Sequence, residues 1–74
     1  LNNELSIAMA KHFSARIAKS SDSLAEQIHV AFGIALQRPP TDIERDQLVA
    51  FAKQHGLANA CRLVMNLNEF VFVD

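Results

Sequence analysis

The chain is 74 residues long, half of it apolar, with a formal net charge of −1. That suffices for one small domain that buries roughly 60% of the surface its unfolded chain exposes. The scattered charge excludes the basic footprint of a nucleic-acid or anionic-membrane binder, and no unbroken apolar run approaches the ~20 residues that span a bilayer. The lone Cys61 excludes an internal disulfide. The chain opens on Leu1 rather than Met and shows no signal peptide, so residues 1–74 are read as one small helical domain excised from something longer.

In chain order, Asn2 or Asn3 can cap a first helix over 4–19. Leu5, Met9, Phe13 and Ile17 recur every four residues with Ala10 beside them, and Lys19 suits the negative end of the helix dipole. Ser20-Ser21-Asp22-Ser23 is a polar connection, and Ser23 with Glu26 fits a capping box opening a second helix over 23–37. That helix is apolar nearly all round. Leu24, Ile28, Ala31, Phe32, Ala35 and Leu36 share one broad face, Val30 and Ile34 lie opposite, and only Glu26, His29, Gly33 and Gln37 form a polar stripe. It is expected to be the most buried helix, covered on two sides, with Gly33 admitting a close backbone.

Arg38-Pro39-Pro40-Thr41 stops it, since proline lacks the amide hydrogen and restricts the residue before it. Thr41 and Glu44 form a second capping box for a third helix over 42–55 that buries Leu48, Phe51 and Ala52, with Ile43 at the margin. His55-Gly56 closes it, glycine supplying a left-handed residue. A fourth helix over 57–68 turns Leu57, Ala60, Cys61, Val64 and Leu67 inward, and residues 70–73 form a last turn or an extended tail. Phe13, Phe32, Phe51 and Phe70 recur every 19 residues, which reads as four elements of similar length rather than a solenoid. The fold class is all-α: a small orthogonal or bundle-like array of four short helices with an apolar tail.

The chemistry-bearing residues form no recognisable set. His12, His29 and His55 lack the i, i+3 or i, i+4 spacing that clasps a metal from one helix. Cys61 falls on an inward face without a base to activate it. There is no CxxCH for haem attachment, and Met9 and Met65 sit in apolar stripes where methionine fills gaps. Catalytic, cofactor-binding and metal residues are therefore all assigned as none, and the chain is read as a non-enzyme. Asn68 projects into the inward arc of its helix and is expected to be buried and bonded to backbone. Arg38 is expected to brace the turn by pairing with Glu44 or Glu69.

Leu36-Gln37-Arg38-Pro39-Pro40-Thr41-Asp42-Ile43-Glu44, followed by Asn66-Leu67-Asn68-Glu69-Phe70-Val71-Phe72-Val73-Asp74, resembles the C-terminal segment of a large bacterial domain of unknown function expanded in planctomycetes, a match that spans almost the whole chain. Members often carry a cytochrome-c-type haem domain upstream. They typically finish with a leucine-(glycine)-arginine-x-proline-threonine-x-x-glutamate turn and an asparagine-x-asparagine-glutamate-phenylalanine close; Leu1-Asn2-Asn3-Glu4 looks like their opening to this region. Gln37 departs from the pattern, which has glycine there. The Arg-x-Pro turn is also similar to repeats related to phycobilisome linkers.

The resemblance implies an exported or periplasmic parent tied to electron transfer or polysaccharide breakdown, with the upstream domains as partners. It supplies no mechanism. Two functions compete: a non-catalytic module that docks onto the parent, with residues 70–73 as one contact, or a contributor of His29, Arg38 or Glu69 to an enzymatic or redox site shared with upstream domains.

Overall fold

The polar stretches between the apolar stripes mark where each helix starts and stops. A computed structural model describes residues 4–72, with the side chains at positions 5, 6 and 68–72 outside the description. It comprises four helices: α1 Glu4–Ser20, α2 Leu24–Leu36, α3 Asp42–His55 and α4 Leu57–Phe72. Among the described residues there is no strand. Three of the helices lie within about one residue of their expected bounds. The last runs four residues further, so residues 69–72 are helical rather than extended; the expected burial of the Asn68 side chain and the contacts of the tail lie outside the described residues.

The α2–α3 boundary is made as its residues dictate. Thr41 Oγ1 accepts from the Glu44 amide at 3.1 Å while the Glu44 carboxylate accepts from the Thr41 amide at 2.9 Å, a closed capping box. The α2 start differs from the expected box. Ser23 Oγ does accept from the Glu26 amide, at 3.4 Å, but the Glu26 carboxylate turns to the Ser21 hydroxyl at 2.8 Å, and Ser21 Oγ in turn accepts from the Ser23 amide at 3.0 Å. A serine relay thus replaces the direct return bond.

Packing places α4 against all three other helices and α2 likewise, while α1 and α3 do not meet among the described residues. Ile28, Phe32, Leu48, Ala52, Ala60 and Val64 form the larger core between α2, α3 and α4. Ile17, Ala31 and Cys61 form a second, smaller one toward α1, with Phe13 and Val30 packed on it. The central helix is therefore covered on two sides, as its nearly continuous apolar surface demands. Phe13, Phe32 and Phe51 fall one to a helix, so the 19-residue recurrence is helix spacing.

Gln27 is a buried polar group that the periodicity did not single out. It is 8% exposed and shares the inward side of α2 with Ala31. Its Nε2 donates to the Ser21 carbonyl at 2.6 Å, and to Ala18 O at 3.5 Å, tying the end of α1 and the first connection to the central helix. A polar residue one helical turn from an apolar one is the signal that would have found it.

Three expectations are corrected. Met9 and Leu67, assigned to inward stripes, are 51% and 40% exposed, because each stripe is wider than the neighbour that covers it. Gly33 admits no close backbone: it is exposed, and a Cβ built there meets nothing within 4 Å among the described residues. Gly33→Ala should therefore stabilise the protein by up to about 1 kcal/mol, by removing backbone freedom from the unfolded chain. A urea melt with an unchanged or lower midpoint would show that the methyl meets something.

Candidate functional site

Two features stand out once the helices are in place: the tied turn between α2 and α3, and the apolar hollows that the packing leaves open.

The turn begins at Gln37, which ends α2 in the left-handed conformation (φ 57°, ψ 34°). Glycine is the residue that adopts this geometry without strain; a side chain costs about 1–2 kcal/mol there. The turn is nonetheless made with glutamine. Arg38 then folds back as a fork on Glu44, Nη1 to Oε1 at 2.8 Å and Nη2 to Oε2 at 2.9 Å, while Nη1 also donates to the Pro39 carbonyl at 3.0 Å. The guanidinium lies 5.3 Å from the centre of the buried Phe32 ring. Of the two partners expected for Arg38, Glu44 is the one observed; the Glu69 side chain lies outside the described residues.

One carboxylate therefore completes both the capping box and the arginine fork. The Arg38 hydrogen bond, reinforced by the Thr41 amide, lowers the Glu44 pKa to about 2. The same bond raises the Arg38 pKa. A carboxylate held this low, with both oxygens engaged, is a poor general base at neutral pH.

The sign of the stability effect follows. Because the folded pKa lies below the ordinary 4.5, this stabilisation is fully present above that value and is lost as pH falls toward about 2. Thermal melts of the protein and of Glu44→Gln should differ at pH 7 and converge in that acidic window. A difference independent of pH would mean that the charge of Glu44 does nothing.

A groove opens between α3 and α4. Their joint is the single residue Gly56. The groove encloses about 550 Å³ over Leu48, Phe51, Leu63 and Leu67, with Glu44 and Gln47 at the wide end. A smaller hollow of about 330 Å³ continues it toward the joint, past His55, Asn59 and Arg62. There the His55 ring packs against Phe51 at 4.7 Å, and Asn59 Nδ2 donates to the His55 carbonyl at 2.7 Å, satisfying a helix-end acceptor. On the other side of the molecule, Met9, Phe13, Ile34, Ala35 and Met65 line an apolar hollow of about 300 Å³ where α1, α2 and α4 meet.

The remaining singled-out residues do not converge. His12, His29 and His55 are exposed on three different helices. Among the described residues no group of three or more His, Cys, Asp or Glu side chains is placed to hold a metal. Cys61 is fully buried, and burial pushes its thiol up to about 11, far from a reactive thiolate. Met9 and Met65 line the same apolar hollow. No described helix is long and apolar enough to cross a membrane.

No family model, curated protein or solved structure matches the chain.

Proposed function

We propose that the chain is a non-catalytic helical module that docks onto the upstream domains of a larger exported bacterial protein. The observation carrying this reading is the apolar hollow of Met9, Phe13, Ile34, Ala35 and Met65. Met9 and Ile34 stand 51% and 49% exposed there. Side chains of this size in one open patch, on the helix to which a preceding domain would connect, suit burial against that domain. Methionines line such adaptable contacts well, being unbranched and polarisable. The exported, haem-associated context is supported by the resemblance in the 36–44 and 66–74 motifs.

The test is methyl NMR on the 74-residue chain, adding the upstream segment of its parent in trans. Met9, Ile34 and Met65 methyl resonances should shift, and Ile34→Lys should abolish the effect while leaving the helical circular-dichroism signal intact. Unmoved methyls would sink the docking reading. A shifted Soret band on adding haem, or a rise in melting temperature with a metal, would favour the competing reading in which His29, Arg38 or Glu69 serves a shared enzymatic or redox site.

A further inference from the structure

Along α1, Met9, His12, Arg16 and Lys19 follow one another at intervals of three and four residues, which sets them on one stripe of the helix. All four are exposed. The stripe starts at the rim of the hollow of Met9, Phe13 and Ile34 and changes character along its length, apolar at Met9 and cationic at Arg16 and Lys19. No acidic residue lies between Leu5 and Ser21. The two cations are also left over by the fold. Arg38 and Arg45 are held in ion pairs by Glu44, Asp42 and Asp46, whereas Arg16 and Lys19 make none. Asp22 and Glu26 follow in the chain, but the Glu26 carboxylate accepts from the Ser21 hydroxyl instead.

Resting on the docking reading above, we propose that the partner surface is acidic along one margin: a segment of the upstream domains that seats an apolar side chain in the hollow and sets carboxylates over Arg16 and Lys19. The pairing fixes direction. A segment laid the other way would put its carboxylates against the apolar rim and leave both cations uncovered. Nucleic acid and anionic membranes fit less well. Two cations fall short of the about 6–10 phosphate contacts of a typical nucleic-acid binder and of the about 4–8 basic residues of a lipid-binding cluster. They suffice to orient a protein contact whose affinity comes from the apolar hollow, because charge at a rim sets register and partner choice more than affinity.

The test is the methyl NMR titration with the parent's upstream segment, run at about 20 mM and about 500 mM salt, which cuts the reach of charge from roughly 20 Å to about 4 Å. Docking should weaken several-fold at high salt. Arg16→Glu should weaken it several-fold at low salt with an unchanged helical spectrum, since the side chain is exposed, and Arg16→Gln should fall between the two. Lys53→Glu makes the same change in net charge on α3, which does not meet α1, and should leave docking as it was. Docking that ignores both salt and Arg16→Glu overturns the acidic partner while the docking reading survives; unmoved methyls at both salts sink the two together. Equal loss from Lys53→Glu would assign the effect to net charge and overturns the stripe. So do shifts on adding phosphatidylserine vesicles or duplex DNA with none from the upstream segment.

Discussion

Phe32→Ala should cost about 3–5 kcal/mol, the range for removing a buried aromatic and leaving a cavity. The ring is fully buried, and it sits where α2 meets both α3 and α4, among Ile28, Leu48, Ala52, Ala60 and Val64. It also forms the platform under the Arg38 guanidinium, so its loss loosens the tied turn as well as the core. At roughly 0.05–0.15 kcal/mol per residue, a chain this short has only about 4–11 kcal/mol of stability to lose. The alanine variant should therefore give up a large share of that stability, visible as a collapse of the urea midpoint. Phe32→Leu keeps most of the volume and should cost much less. Near-native midpoints for the alanine variant would show that Phe32 is not the residue on which the core closes.

Gly56→Ala comes next, at about 1–3 kcal/mol, and for a different reason. Gly56 has φ 92° and ψ 154°. This is not the left-handed helix-ending geometry expected from the sequence, but an extended region of positive φ that is essentially reserved for glycine. One residue here does the work of a loop. Its amide closes α3 on the Ala52 carbonyl at 2.8 Å, and its carbonyl opens α4 by accepting from the Ala60 amide at 3.2 Å. An added Cβ would meet nothing within 4 Å among the described residues, so the penalty is backbone strain alone. That separates the two explanations experimentally. D-Ala at position 56, introduced by chemical synthesis, keeps positive φ and should melt at or above the native temperature, while L-Ala melts lower. Equal destabilisation by both would point to a clash instead of strain.

The helices themselves are local facts. Spacing of Leu, Ile, Phe and Ala at three and four residues, a Thr41–Glu44 box and a proline pair are each legible within a window of a few residues, because backbone hydrogen bonding in a helix is itself local. That is why α1, α2 and α3 lie so close to the spans read from the sequence. The Arg38–Glu44 pair was legible for the same reason: six residues apart, the two are brought together by the turn they enclose.

What the sequence left open depends on neighbours far along the chain. Met9 and Leu67 satisfy the inward periodicity as well as Ile17 and Val64 do, yet the former pair are partly in water and the latter buried. The difference is made by which of these positions a neighbouring helix covers. The Ser21 relay and the Gln27 bond to the first connection likewise need two segments in their final places. Both hollows are products of that same arrangement, since each is lined from more than one helix and no single stretch contains it. Amino-acid order by itself determined the helices and their caps; which apolar residues stayed outside, and so where this domain can be touched, was decided only by the angles at which the helices pack.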